Sequence, residues 1–564
     1  MGRNDEIIEE IRHLPYTTVS HSNMLWNKTG AWRYVKPLYK SKLASCSSKC
    51  PCDNDIAGFI FAVSRGEFIT AYEIIKRTNP FPGVCGRVCY HPCEVNCNRA
   101  KFDEPISIHI IERFLSDYMS DRPRAIPEIA EKKDKRIAVV GSGPAGLSCA
   151  YHLALKGYSV VVFEACEKPG GMLRYGVPSF RLPEDILDRE IRDIIDIGVD
   201  LRTNSGLGKD FSMNDLEEYD AVFLAFGAHK SRSLGLPGES MEGVFSGLEF
   251  LERIKSGREI LLGRRLIVIG GGNTAIDTAR SALRCGSEVV VVYRRSRDEM
   301  PARQEEVEDA IEEGVKFIFL ASPVEILSEG GVIEGIRCQK MELGELDQSG
   351  RRRPIPVKDS DFTIDGDSIA VSIGEEPEIS FLSESFEING KKVVTDFGGF
   401  SSVGKIFAGG DMVYGVSANV SSAIGSGRVG AESIDHFLRG EEFAEDKNPK
   451  VTEFEDLNVN YFKNSVGIIL PKLRVKDRQS NFSEIEGGVS PEEVIYEAER
   501  CFSCGFCTMC DNCVIFCPDI AIRRKEDGSG YEIDYDYCKG CGICFEECPR
   551  GVISIERDMK FNEL

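Results

Sequence analysis

Two stretches of the chain share one hydropathic rhythm. Residues 136–164 start apolar (RIAVV), break into glycines (GSGPAG), pass through helical apolar spacing (LSCAYHLALKG) and close on a second apolar run (SVVVFE). Residues 264–301 repeat the order with RRLIVI, GGGNTA, IDTARSALRCG and SEVVVVYRR. Short continuous apolar runs bounded by glycine fit strands buried on both faces, and apolar residues three and four apart fit a helix packed on them. Each stretch therefore predicts a strand, a tight turn, a helix and a second strand, the βαβ unit of a doubly wound sheet. Residues 56–130 carry helical spacing interrupted by Pro-Gly turns, which predicts an α-helical cap. Residues 441–500 are charged and weakly periodic, and predict an extended strap ending in a helix near 490–500. Segments 328–335 and 344–354 (GELDQSGRRRP) read as hairpin turns, with the arginine run in a solvated loop.

A length of 564 residues is too long for one core and suggests about four domains at roughly 150 residues each. The expected division is 1–132 helical iron-sulfur domain, 133–250 with 395–440 FAD domain, 251–394 NAD(P)H domain, 441–500 linker and 501–564 ferredoxin domain. The fold class is α/β, with the NADP unit inserted in the FAD unit, a helical N-terminal domain and an α+β C-terminal domain. A formal charge of −22 argues against nucleic acid or an anionic membrane as partner. No run of 18 apolar residues is present, and the acidic MGRNDEIIEEIRHL lacks the basic and apolar regions of a signal peptide. The expectation is a cytoplasmic protein with no membrane insertion.

The first glycine turn is Gly141-x-Gly143-x2-Gly146, with Pro144 and Ala145 opening the helix and Glu164 about 20 residues on, suited to a ribose hydroxyl. The second is Gly270-x-Gly272-x2-Ala275, with Asn273 and Thr274 at the helix start. Its second strand ends in Arg294 and Arg295 instead of an acid. Paired arginines suit a 2′-phosphate that a carboxylate would repel, which favours NADP(H) over NAD(H). The alternative is a solvated arginine doublet.

The 21 cysteines then separate into groups: seven lie between Cys46 and Cys97 and ten between Cys501 and Cys548. Clustered thiols in a reducing compartment are metal ligands more often than disulfides. Cys507-x2-Cys510-x2-Cys513-x3-Cys517-Pro518 recurs as Cys538-x2-Cys541-x2-Cys544-x3-Cys548-Pro549, the two-cluster ferredoxin run, in which each fourth cysteine reaches the other cluster. The expected sets are Cys507, Cys510, Cys513 and Cys548 for one 4Fe-4S cluster, and Cys538, Cys541, Cys544 and Cys517 for the other. Structural zinc is the competing reading. Cys149, Cys166, Cys285 and Cys338 stand alone and are expected to be buried small hydrophobes. No closely spaced cysteine pair occurs from residue 98 to 500, so a disulfide reductase mechanism has no dithiol there.

The motifs Cys50-Pro51, TNPFPGVCGRVC, HPCEVNC, GSGPAGL, GGMLRYGVPSFRLP (Gly170 to Pro183), GGGNTAID, YRRSRDEMPA and AGGD are together similar to those of the glutamate synthase small subunit and its relatives. These include the N-terminal half of dihydropyrimidine dehydrogenase, the large subunit of bifurcating NADH-dependent ferredoxin:NADP oxidoreductase, and the iron-sulfur flavoprotein partner of dissimilatory sulfite reductase. The resemblance covers about residues 45–440, and the fused ferredoxin looks most like the last of these. It implies cofactor contacts at Gly171, Met172, Leu173, Arg181, Gly227, Gly410, Asp411, Asn419 and Val420, with Asp411 on the flavin's ribityl chain. It also implies one cluster on Cys50, Cys89, Cys93 and Cys97. The family's second N-terminal cluster uses a C-x2-C ahead of the residue matching Cys46, which this chain lacks. Cys501-x2-Cys504 resembles the missing pair, giving a fourth set of Cys46, Cys501, Cys504 and Glu112. The rival reading makes Cys501 and Cys504 loop thiols or zinc ligands and Glu112 a surface acid. Cys52 and Cys85 have no assigned role.

The expectation is an NAD(P)H:acceptor oxidoreductase subunit, passing hydride from NADPH to FAD and single electrons through three or four 4Fe-4S clusters, or the reverse. No side chain need act as acid or base, because the cofactors carry the chemistry. The expected partners are a nicotinamide nucleotide and an electron-accepting protein, or reductase- or hydrogenase-type subunits of a larger complex, with room for a homo-oligomer. Electron bifurcation at the same flavin and a non-catalytic wiring scaffold are the alternatives.

Overall fold

The computed structural model describes residues 27–122, 127–258, 260, 262–347, 350–444 and 450–558; the N-terminal stretch read for a signal peptide lies outside them. The chain divides into a larger unit, residues 44–449 and 464–502, and a smaller one, residues 1–43, 450–463 and 503–564. These two units divide the chain differently from the expected boundaries in two places. Residues 27–43 join the C-terminal cysteine runs instead of the helical cap, and the 441–500 strap is shared between the units. The reason is pairing: Val35–Tyr39 hydrogen-bonds antiparallel along Ile553–Arg557, giving that terminal strand the partner it would otherwise lack.

In the larger unit both glycine-rich stretches form parallel sheets. The first has the order Ile406–Ala408, Ala221–Leu224, Arg136–Val140, Ser159–Phe163, Asp200–Arg202. The second runs Lys316–Phe319, Glu288–Tyr293, Arg265–Ile269, Ser368–Val371, Val244–Ser246. Between Phe319 and Ser368 the chain makes a three-stranded antiparallel meander, Ala321–Glu329, Val332–Leu346 and Arg352–Asp365, whose turns fall in the two expected hairpin segments.

Helix Val420–Arg439 packs on Pro144–Leu155 so closely that a Cβ at Gly427 would stand 2.1 Å from Ala145 O, and Ser148 Oγ donates to Ile424 O at 2.8 Å. On another side of the same helix a Cβ at Gly425 would meet Pro51 O at 1.9 Å. The cap therefore seats directly on the first sheet's helices. Its residues Phe81, Val84 and Val88 share one core with Leu147, Leu153 and Ile194.

The cap itself consists of Ile56–Ser64, Phe68–Lys76, Pro82–Val88 and Ile108–Tyr118. The strap supplies a further helix, Pro491–Glu499, opened by a Ser490/Glu493 capping box and inserting Val494 and Ala498 into the cap's core. Buried Glu497 accepts from Ser107 N at 2.8 Å and from Ile468 N at 3.1 Å, which ties the strap to the cap. No helix among the described residues is long and apolar enough to cross a membrane.

Candidate functional site: a dinucleotide cavity and three cysteine-lined cavities

A cavity of about 830 Å³ in the larger unit is lined by both glycine turns. Gly141 has φ +104°, and a Cβ on it would strike Ala225 O at 2.4 Å, so the turn admits only glycine. At Gly143 the Cβ position is open, leaving the backbone accessible to a bound phosphate at the start of the 144–155 helix. Gly146 stands outside the lining and lets the helix approach: a Cβ there would lie 1.9 Å from Gly141 O. Glu164 lines the cavity, accepting from Ser142 N at 3.0 Å and from Cys166 N at 2.8 Å, which fixes its carboxylate at the strand end.

Gly143, Pro144, Ala145, Gly171, Met172, Leu173, Gly227, Gly410, Asp411, Asn419 and Val420 all line this cavity. Asp411 Oδ1 is buried there without a hydrogen-bond partner, and burial raises the pKa of its carboxyl. Such an orphaned acceptor calls for a donor from a bound molecule, and a ribityl hydroxyl fits it. Arg181 also borders the cavity but is buried in an ion pair with Asp277 at 2.7 Å. It joins the two dinucleotide-binding halves.

At the other end, Gly272, Asn273 and Thr274 reach the cavity, while Gly270 and Ala275 shape the turn behind it. Asn273 is committed on both sides of its amide: Nδ2 donates to Tyr90 Oη at 2.7 Å and Oδ1 accepts from Arg303 N at 3.0 Å. Of the arginine pair, Arg294 is exposed, whereas Arg295 is buried, with Nε donating to Arg352 O at 2.8 Å and Nη2 bound to Asp347 at 2.5 Å. Just past the strand's end, Arg294 is the exposed member of the doublet and Arg295 the buried one.

In the smaller unit Cys507, Cys510, Cys513 and Cys548 line one cavity, and Cys517, Cys538, Cys541 and Cys544 another. Strand Val35–Tyr39 walls both, with Tyr39 at the first and Pro37 at the second. Burial pushes the thiols of Cys513 and Cys544 up to about 12. All the cysteines are free. Thiols gathered by fours without disulfides, with Cys513, Cys538 and Cys544 buried, suit metal that holds them as thiolates.

The helical cap holds a third such cavity, lined by Cys50, Cys89, Cys93 and Glu112 together with Cys52 and Cys85. Here the cavity groups these residues differently from the expected partition. Glu112 is buried and lines this cavity with Cys50, Cys89 and Cys93, whereas Cys97 does not line it. The helical register explains it: Glu112 faces inward from Ile108–Tyr118, where Asn54 and Asn79 donate to Oε1 at 3.3 and 3.0 Å. Burial lifts the Glu112 carboxyl well above the usual carboxylate range, with the Cys50 thiol adding to the rise. Cys46, Cys97 and Cys501 pack against the cap's core beside it, and Cys504 falls in the smaller unit. Cys149 and Cys338 are buried as expected, but Cys166 and Cys285 are exposed.

The sequence reading missed Val88 and Tyr90, which line the dinucleotide cavity on either side of Cys89, and Ser421, which lines the cysteine cavity next to Val420 of the dinucleotide cavity. The two cavities share a wall. No periodicity signals this; it follows from the seating of the cap on the Val420–Arg439 helix.

The chain belongs to the pyridine nucleotide-disulphide oxidoreductase family, whose model matches residues 135–427. Residues 31–123 match dihydropyrimidine dehydrogenase domain II, 4Fe-4S cluster, and residues 506–552 match the 4Fe-4S dicluster domain. It is an oxidoreductase with FAD-, nicotinamide- and iron-sulfur-binding domains. Among its relatives is the NADP(+)-dependent formate dehydrogenase subunit beta of Moorella thermoacetica, 39% identical over 82% of this chain and 70% of the relative. The NADPH-Fe(3+) oxidoreductase subunit beta of Geobacter sulfurreducens is 37% identical over 82% and 75%. The glutamate synthase [NADPH] small chain of Halomonas elongata is 36% identical over 70% and 88%.

Proposed function

We propose that this chain is the NADPH-linked flavin and iron-sulfur subunit of a larger electron-transfer complex, exchanging electrons with a partner subunit through its ferredoxin-type domain. The carrying observation is the shared wall: Val88 and Tyr90 face the dinucleotide cavity while Cys89 between them faces the cysteine cavity. Bound FAD would supply the change from two-electron hydride chemistry to single electrons, and 4Fe-4S clusters the one-electron carriers.

The chain's own residues bind and orient. Glu164 and Asp411 hold the ends of the flavin nucleotide, the Gly141–Gly146 turn its pyrophosphate, and Gly272 to Thr274 that of NADPH. Val177, Leu173 and Phe226 keep the cavity wall apolar and limit water at the reacting ring. Cys50, Cys89, Cys93 and Glu112 hold one cluster, and the two crossed sets of the ferredoxin domain hold two more. Cys46, Cys97 and Cys501 offer thiols for a fourth. The relatives named as beta subunits and small chains support a partner, and Arg294 at the strand end supports NADPH.

The test is anaerobic addition of NADPH and NADH to the holoprotein. NADPH should bleach the flavin band and then the cluster absorbance. Flavin that stays oxidised with both nucleotides would overturn the proposal in favour of a wiring scaffold.

A further inference from the structure

The segment between the two cavities ends in a histidine with an unpaired ring nitrogen. Val88 and Tyr90 line the dinucleotide cavity, whereas Cys89 and His91 line the cysteine cavity together with Cys50, Cys93 and Glu112. His91 is buried, and its Nε2 has no hydrogen-bond partner among the described residues. An enclosed ring nitrogen left unpaired costs free energy that the fold has to offset, so such an atom marks a place where a bound group completes the bonding.

Local structure holds the ring in place. His91 has φ +51°, a left-handed conformation uncommon outside glycine, at the turn from Cys89 into the short helix Pro92–Val95 that carries Cys93. Its backbone N donates to Cys89 Sγ at 3.4 Å, so the residue sits against one of the cavity's thiols. Its ring stacks on that of His109, with centroids 4.1 Å apart and planes 13° from parallel. His109 is fixed in turn, because Glu94 Oε1 accepts from its Nδ1 at 2.7 Å and from its backbone N at 2.8 Å. His91, Glu94 and His109 bring possible ligand atoms within 4.8 Å of one another, but stacked rings keep their lone pairs in parallel planes that do not converge on one ion.

The group that the cavity's thiols suit is an iron-sulfur cluster, whose sulfurs accept hydrogen bonds. A donor to them stabilises the reduced state, which carries one more negative charge, more than the oxidised one, and so raises the reduction potential. We propose that His91 Nε2–H donates to a sulfur of the cluster held by Cys50, Cys89, Cys93 and Glu112 and thereby sets that cluster's potential, with His109 and Glu94 as positioning residues that hold the ring. One electron enters or leaves the cluster while His91 keeps its proton, so only the strength of the hydrogen bond changes. This inference rests on the cluster assignment in the proposed function and adds to it the residue that tunes the cluster next to the dinucleotide cavity.

The experiment is an anaerobic redox titration of the holoprotein followed by EPR, on the wild type, His91→Ala and His91→Gln, with dithionite and mediators as reductant and iron counted per FAD. Losing a hydrogen bond to a charged acceptor should make reduction of one cluster about tenfold less favourable in His91→Ala, a fall of about 59 mV, while the other potentials and the iron content are kept. His91→Gln, which keeps an N–H donor, should recover part of the fall. An equal fall in both variants would make the ring's bulk responsible and not its N–H, and unchanged potentials in both would leave the donor without effect; either result overturns the inference. Loss of about four iron with one EPR signal in both variants would make His91 a ligand or a structural support, and overturns it too. A wild type with only about eight iron per FAD would show that the cap binds no cluster, so that the proposed function's cluster assignment fails first. Because no nicotinamide is used, a failure of the NADPH reading leaves this titration readable.

Discussion

The wall between the dinucleotide cavity and the cysteine cavity of the cap includes a close backbone approach at Gly425, and Gly425→Ala addresses it. A Cβ at that position would lie 1.9 Å from Pro51 O and 2.8 Å from its carbonyl carbon. Both are backbone atoms, so no side-chain rotation relieves the clash, and the strip Cys50-Pro51-Cys52 must retreat from the 420–439 helix by more than about 1 Å to restore ordinary contact. Overpacking of this kind costs about 1–3 kcal/mol. The larger effect is on function, because Cys50 borders the cavity that Pro51 would be displaced from.

Stopped-flow reduction by NADPH should show flavin bleaching close to wild type, since the two glycine turns are untouched, followed by cluster bleaching that is slowed or incomplete. Iron content should fall if Cys50 is withdrawn from its partners. Wild-type stability, iron content and cluster reduction in Gly425→Ala would refute the claim that this contact couples the cap to the flavin domain.

Three further outcomes are expected. Cys548→Ser should abolish the cluster of Cys507, Cys510 and Cys513 and spare that of Cys538, Cys541 and Cys544, with about four iron lost; loss of the latter cluster's EPR signal instead would refute the crossed arrangement. Asp411→Asn should weaken flavin retention by about ten- to hundredfold by removing a buried charged acceptor, read as flavin released on gel filtration, while iron is unchanged. Asp435 is depressed to about 2: burial opposes ionisation, but hydrogen bonds from Lys133 (2.9 Å) and Tyr158 (2.7 Å) outweigh it. Because the folded carboxyl binds its proton more weakly than the unfolded one, its stabilisation is complete above about pH 4 and is lost as pH falls towards 2. Asp435→Asn should therefore destabilise the protein in denaturant melts at pH 6 and have a much smaller effect near pH 2; an equal effect at both would contradict the assignment.

Local chemistry was legible in the chain and long-range placement was not. Gly141, Gly143 and Gly146 announce their turn because each constraint lies within a few residues of the glycine itself. The ferredoxin cysteines announce two sites because their spacing is met within single turns. Glu112 could be named from a resemblance, but its site was fixed by the face of Ile108–Tyr118 and by Asn54 and Asn79, which lie far away in sequence. Arg294 and Arg295 look equivalent in a string; bonds from Arg295 to Asp347 and Arg352, some 50 residues later, separate them. Tyr39 and Pro37 carry no cysteine, no glycine motif and no periodicity, so nothing marked them as walls of cysteine cavities before Val35–Tyr39 was seen paired with Ile553–Arg557.

The most direct test of the account is iron and acid-labile sulfide per FAD in anaerobically purified protein, followed by NADPH titration with and without bound flavin. About 16 iron per FAD corresponds to four clusters and about 12 to three. In either case the account predicts that NADPH reduces the clusters only when flavin is bound. Clusters reduced equally well by NADPH in the deflavinated protein, or never reduced in the flavin-loaded one, would contradict it.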